Sequence, residues 1–240
     1  MLLKHFPTAE QAAEACCQHL ISSLEEVLAA APRATIALPG GSTPKLLFPK
    51  MAQAPLPWDR IHVFWVDERA VPPDHEQSNY RLAETLLIRP AGIPAENVHR
   101  VRAELEPREA AARYADEIRE FFGLGNQELP SFDVMQRGVG ADVHTASLFP
   151  GEPLIQDRHG IAEAVYVEKL GQWRITLLPG VLLAAVRTVF LVAGPDKAEA
   201  VRTVFEGPYD PIRYPAQLLP TDKTGIAWFT DDAAAVMLKR

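Results

Sequence analysis

The chain is expected to be an α/β protein with three layers, α/β/α, built on a mostly parallel Rossmann-like sheet with helices on both faces. Three observations predict this. Short apolar runs suited to strands buried on both faces recur at residues 34–38, 61–66 and 188–193. Helical stretches separate them, the alternation that builds a parallel sheet through crossover connections. Several of the runs also end in a Gly turn or a charged cluster, and open α/β folds keep their ligands at that carboxyl edge.

The 240 residues read as one domain, 1–240, without repeats, low-complexity tracts or a convincing linker. The apolar share, 48%, and the charged share, 23%, are ordinary for a globular chain. A net charge of -7 offers no basic face for nucleic acid. It leaves anionic small ligands open, because a few placed cations hold those. The two cysteines, Cys16 and Cys17, are neighbours on a predicted helix and project from different faces, so they do not form an ordinary disulfide. With no disulfide framework and no Cys/His metal spacing, a reducing, cytoplasmic setting fits best. Residues 1–7 lack the apolar core of a signal peptide, and no window is long enough to span a bilayer.

Taken in order, Thr8 and Gln11 have capping-box spacing and open an Ala-rich helix that reaches about Ala30, where Pro32 closes it. The strand at 34–38 runs into Pro39-Gly40-Gly41-Ser42-Thr43-Pro44, and a helix follows over 45–51. Strand, Gly-Gly turn and helix start are the geometry in which free backbone N–H groups hold a phosphate. Ser42 and Thr43 add hydroxyls, and Pro44 suits a first helical position. The bland alternative is a tight turn capped by Ser42. It is not a Walker loop, because the Gly-Lys-Ser/Thr ending is missing. The strand at 61–66 closes on Asp67-Glu68-Arg69, either its solvated exit or polar groups on a shared ligand edge. A polar loop follows at 72–79, then a helix at 80–87, a further strand at 97–101 and a long amphipathic helix at 107–122.

An extended segment from Phe132 enters the Gly138-Val139-Gly140 turn, with Asp142 and His144 two residues apart and a Pro150-Gly151 stop. Imidazole titrates near neutrality, and a nearby carboxylate fixes its tautomer and raises its basicity. Alone, such a triplet reads as a turn-capping Asp and a surface His; its neighbours are what favour a site. Strands are expected at 161–167, 174–178, 188–193 and 226–229, and a closing helix at 231–238. Arg174 starts one strand. Lys197 falls in the first turn of the helix that runs through Glu206, where the macrodipole disfavours a cation unless an anion lies between.

Together these pieces resemble the 6-phosphogluconolactonase branch of the sugar-phosphate isomerase/deaminase superfamily over nearly the whole chain. The likeness rests on 39–44, on Trp65-Val66-Asp67-Glu68-Arg69 with Ser78-Asn79-Tyr80, on 142–151, on Arg174-Ile175-Thr176, and on Gly194 with Lys197; Trp228-Phe229 matches as well. Ser147-Leu148-Phe149-Pro150-Gly151 is similar to lactonases, where the related aminosugar deaminases carry an acidic Asn-Glu-Pro. The resemblance implies hydrolysis of 6-phospho-D-glucono-1,5-lactone to 6-phospho-D-gluconate in the oxidative pentose phosphate pathway, with neither metal nor other cofactor. It implies that Gly40, Gly41, Ser42, Thr43, Arg174 and Lys197 bind the phosphate. His144 would act as general base on water, oriented by Asp142, and Asp67 and Arg69 would line the sugar site, Arg69 as a candidate for the oxyanion. The implied partner is the sugar-phosphate lactone alone, with no nucleic acid and no membrane, on a monomer or weak homodimer. The alternatives are an aminosugar-6-phosphate deaminase/isomerase and a catalytically impaired sugar-phosphate-binding protein.

Two departures flank the expected base. The family's Asp-Gly-His is here Asp142-Val143-His144, and a β-branched residue at positive φ costs about 1–2 kcal/mol and would turn His144 away. The apolar strand ending is here Gln136-Arg137, which is expected to face the site or solvent, or to shift the strand, because burying it unpartnered is expensive.

Overall fold

A computed structural model describes residues 2–219 and 224–239. Strands β1 (Leu2–Phe6), β2 (Ala34–Leu38), β3 (Ile61–Trp65) and β4 (Asp67–Arg69) are joined by helices α1 (Ala9–Ala30) and α2 (Pro44–Ala52). Helix α3 (Asn79–Ala83) passes through a π-helical turn, Glu84–Ile88, into α4 (Arg89–Ala91). Then come α5 (Pro107–Phe122), β5 (Val134–Arg137), β6 (Ala162–Val167), β7 (Gln172–Leu177), α6 (Pro179–Ala184), β8 (Arg187–Val192), α7 (Ala198–Glu206), β9 (Ile226–Asp231) and α8 (Asp232–Ala235).

Six strands form a wholly parallel sheet in the order β1-β9-β8-β5-β2-β3. Alternation along β8 and β9 shows how it is covered. Val189, Leu191, Ala227 and Phe229 join the large core with Leu20 and Leu24 of α1. Phe190, Val192, Ile226 and Trp228 join a second core with Val201 and Val204 of α7 and Ala234 of α8. Side chains of successive strand residues point to opposite faces, so each strand feeds both layers. On the α5 side, Phe64, Phe121, Phe122 and Phe132 meet edge to face with ring centroids near 5.1 Å.

The order of the parallel sheet reverses between β2 and β5: β2 leads outward to β3, whereas β5 leads the other way to β8 and β9. Crevices above such a reversal are where open α/β folds bind ligands. The loops 39–43 and 138–151 both rise there.

The local chemistry explains most boundaries. Thr8 caps α1, its Oγ1 accepting from the Gln11 amide at 3.2 Å. Gly123, at φ 64°, ends α5 in the left-handed conformation that a residue without Cβ adopts freely. Other expectations need correction. Residues 97–101 are not a strand: a 3-10 turn, Ala95–Asn97, leads to a single bridge between Val98 and Val63. The closing helix is shorter than 231–238, four residues after the Asp231 cap. Asp67-Glu68-Arg69 is not a solvated exit but strand β4, which leaves the parallel sheet and pairs antiparallel with β7 in a separate sheet, β4-β7-β6.

Gln136 and Arg137 also depart from expectation: they face neither site nor solvent. Both are fully buried in β5, in register with Val189 and Phe190. Gln136 Nε2 donates to the Arg137 carbonyl at 2.9 Å, while its Oε1 has no partner. Arg137 Nε donates to Thr145 Oγ1 at 3.2 Å and the guanidinium lies 5.1 Å over the Phe190 ring, but Nη1 and Nη2 are unpartnered. Burial pushes the Arg137 guanidinium down to about 9.

Candidate active site

Every residue singled out as a site candidate except Asp142 lines one cavity of about 230 Å³ at the carboxyl edge of the sheet. Gly40, Gly41, Ser42 and Thr43 enter from the turn after β2, His144 from the loop after β5, Asp67 and Arg69 from β4, Arg174 from β7, and Lys197 from the turn before α7. Lys197 and Ser42 therefore share a wall space.

The β2 turn is shaped for close approach. Gly41 sits at φ 105°, a region that favours glycine, with open space where a side chain would be. A Cβ on Gly40 would lie 1.6 Å from Asn79 Oδ1. Asn79 is itself fixed, Nδ2 donating to the Asp67 carbonyl at 2.8 Å. No side chain caps α2, which leaves the hydroxyls of Ser42 and Thr43 without the capping role that a tight turn would give them.

Antiparallel pairing sets Arg69 directly opposite Arg174. Like charges at that position repel. Both guanidinium Nε atoms are buried without a partner, and Arg69 spends Nη1 on the Gln77 carbonyl at 2.7 Å. Burial lowers the Arg174 guanidinium, with Asp67 opposing and Arg69 reinforcing that direction. Lys197 adds a third cation, paired with Asp196 at 3.0 Å. Its turn is pinned by Asp231, which accepts from the Gly194 amide at 3.0 and 3.1 Å and from the Ala234 amide at 2.8 Å. Two guanidiniums forced together beside an ammonium and a glycine turn form a socket for a compact anion with several charges.

On the other side, His144 Nδ1 donates to Asp142 Oδ1 at 2.5 Å, and the His144 amide approaches the same oxygen at 3.3 Å. An acceptor on Nδ1 leaves the lone pair on Nε2. The ring packs against Phe149, tilted by 33° with centroids 4.3 Å apart. Val143 does adopt positive φ, 67°, as its position had suggested, yet His144 is not turned away. The Val143 amide donates to the Gly140 carbonyl at 2.9 Å, and the buried side chain packs in the second core. Gly140 closes the turn: a Cβ there would lie 2.0 Å from His144 Nδ1. Asp142 is half-buried. Desolvation pushes its carboxyl up, but hydrogen bonds from His144 and Lys169 outweigh that and hold it well below the usual carboxylate range.

Several supporting contacts could not be read from the sequence. Asp67 Oδ2 accepts from Ser147 Oγ at 2.6 Å, tying the His144 loop to the small sheet. Glu68 is a structural anchor, accepting from the amides of Arg69, Asn79 and Tyr80 at 2.7 to 2.8 Å and from Ser78 Oγ at 3.1 Å. Lys169, in the turn between β6 and β7, contacts Asp142 Oδ2 and was missed outright. Among the described residues no three His, Cys, Asp or Glu side chains are placed to hold a metal ion, and no helix is long and apolar enough to cross a membrane.

An open parallel sheet with its cleft at the strand-order reversal, a multiply cationic socket and a His–Asp pair defines the class: an α/β protein for small anionic ligands. Residues 7–228 match the model of the glucosamine-6-phosphate isomerase/6-phosphogluconolactonase family, and the chain belongs to that family. Among relatives it is 39% identical to the 6-phosphogluconolactonase of Nostoc sp., over 91% of this chain and 90% of that one. It is 35% identical to the 6-phosphogluconolactonase of Haemophilus influenzae, over 97% and 98% of the two chains. A crystal structure described as devB protein superposes with a TM-score of 0.88 at 35% identity, covering 99% of each chain.

Proposed function

We propose that the chain hydrolyses 6-phospho-D-glucono-1,5-lactone to 6-phospho-D-gluconate, in the cytoplasm as part of the oxidative pentose phosphate pathway. The observation that carries this reading is His144, paired with Asp142, opening on the same cavity as the Arg69, Arg174, Lys197 and Gly41 socket. The phosphate dianion sits against Gly40, Gly41, Ser42, Thr43, Arg174 and Lys197, where charge-assisted hydrogen bonds are roughly twice as strong as neutral ones. That placement presents the lactone ring to His144.

His144 Nε2 takes a proton from water as the water oxygen bonds to C1. Asp142 keeps the imidazole in the productive tautomer and stabilises the imidazolium. Arg69 faces the oxygen that becomes negative in the tetrahedral intermediate. The C1–ring-oxygen bond then breaks, and the imidazolium returns its proton to the departing ring oxygen. General base help of this kind supplies roughly 10²–10⁴-fold, enough for an ester that already hydrolyses in water.

The test is acid release from freshly made lactone near pH 7, with the purified chain and its His144→Asn variant. The expected result is catalysis by the parent and a loss of about 10²-fold or more in the variant. A parent rate equal to the uncatalysed background would remove the proposed activity, and equal parent and variant rates would remove the base.

A further inference from the structure

Lys169 closes a ring of four side chains that includes the imidazole. Its Nζ contacts Asp142 Oδ2, whose other oxygen accepts from His144 Nδ1. The same Nζ lies 4.4 Å over the Phe149 ring, and Phe149 packs against His144. Two routes thus connect one lysine to one imidazole, a hydrogen-bonded route through the carboxylate and a packed route through the aromatic ring. Lys169 reaches this place because the turn Glu168–Leu170, ended by Gly171 at φ 58°, folds the β6–β7 hairpin back over the His144 loop. The same hairpin supplies Arg174 to the cavity.

We propose that Lys169 is a positioning residue for the hydrolysis: it holds the Asp142 carboxylate edge-on to Nδ1 and, as a nearby cation, opposes protonation of His144. A free carboxylate beside an imidazole raises its basicity and can rotate. A carboxylate with its second oxygen occupied by an ammonium does neither to the same degree. The device holds the ring with Nδ1 engaged and Nε2 as the atom that can accept a proton from water. The other charged groups around the pair are Asp67, Arg69, Arg174 and Lys197 across the cavity, and Glu152 and Glu168 on the outer side beside Asp142 and Lys169. None of these has a hydrogen bond to Asp142 or His144 among the described residues, whereas Lys169 does.

The inference rests on His144 acting as the base, so its test carries a readout independent of turnover. Lys169→Met removes the charge and keeps an unbranched apolar stem against Phe149; Lys169→Arg keeps the charge. In an NMR titration, with the His144 signal assigned by its loss in His144→Asn, the Met variant is expected to titrate roughly 0.3–0.7 of a pH unit higher than the parent. The acid limb of kcat/KM should move up by the same amount, and kcat should fall about 3- to 30-fold with KM within about twofold. The Arg variant should keep the parent's limb. A His144 titration in Lys169→Met that coincides with the parent's, or moves lower, overturns the proposal. Should the general-base reading fail instead, His144→Asn would keep the parent's rate while the NMR shift in Lys169→Met persisted, which separates the two failures.

Discussion

Val143 stands at φ 67° with its side chain 5% exposed in the second core, beside Val139, Phe190 and Trp228. The left-handed backbone costs a β-branched residue about 1–2 kcal/mol. Burying its side chain returns about 1.5–3 kcal/mol. Strain and packing therefore nearly cancel, and the loop holds its shape without the glycine its position would favour. The conflict was legible only through the family resemblance, which has glycine where this chain has Val143. The resolution was not, because only tertiary placement shows the isopropyl group buried. Two variants isolate the strain: Val143→Ala loses packing and keeps the cost, whereas Val143→Gly loses the same packing and relieves it. In denaturant unfolding the Gly variant should be the more stable by about 1 kcal/mol. An Ala variant as stable as Gly would mean that no strain resides there. Gly140 gives the opposite case. A methyl group 2.0 Å from His144 Nδ1 must displace the ring, so Gly140→Ala should lower lactonase kcat by about 10²-fold while the fold persists by circular dichroism.

At the scale of elements, apolar runs and caps were readable wherever a segment's own residues decide its conformation. Helix α5 spans the expected 107–122 because Pro107 starts it and Gly123 stops it. Strands decided by a partner were not readable. β1 is largely exposed and exists through its pairing with β9. β4 turns away from β3 within one residue to join β7, a change of partner that no local pattern announces. β5 contradicts local reasoning most sharply, since Gln136 and Arg137 are wholly inside. Replacing buried, incompletely paired polar groups with apolar ones of similar volume is commonly stabilising by about 1–4 kcal/mol. Gln136→Leu with Arg137→Leu should accordingly raise the midpoint of thermal unfolding, and a lower midpoint would reveal partners that these groups hold. The contact of α5 with β3 has its own pH signature. His62 and His99 share a hydrogen bond at 3.0 Å, and His99 Nδ1 meets Glu117 at 2.9 Å. Burial, with His99 and Arg33 in the same direction, pushes the His62 imidazole from 6.5 down to about 4. The unfolded chain takes that proton near 6.5 and the folded chain near 4, so this contribution is intact above 6.5 and is lost as pH falls toward 4. A His62→Phe variant should show a shallower fall in Tm across that window than the parent.

For the whole molecule, the site exists because two sheets meet. The parallel sheet supplies the glycine turn and the His144 loop at its reversal, and the small antiparallel sheet swings Arg69 and Arg174 over the opening. The sequence showed which strand ends carry polar groups, but not that Arg69 and Arg174 are cross-strand partners, because antiparallel register is a property of the assembled hairpin. That register sets two like charges against each other. An anion that binds the socket relieves the repulsion in the folded state only, so it stabilises the fold by mass action. At about 100 times its dissociation constant a ligand contributes about 2.7 kcal/mol. For a chain of this size that corresponds to a rise in Tm of roughly 5–10 °C. 6-Phosphogluconate should produce such a rise, and gluconate, which lacks the phosphate, should not. Arg174→Met and Lys197→Met should each abolish most of the shift while raising the Tm of the unliganded chain or leaving it level, since each removes a cation from a crowded set. Equal shifts from gluconate and 6-phosphogluconate, or a full shift in both variants, would mean that the three cations are not where the dianion sits.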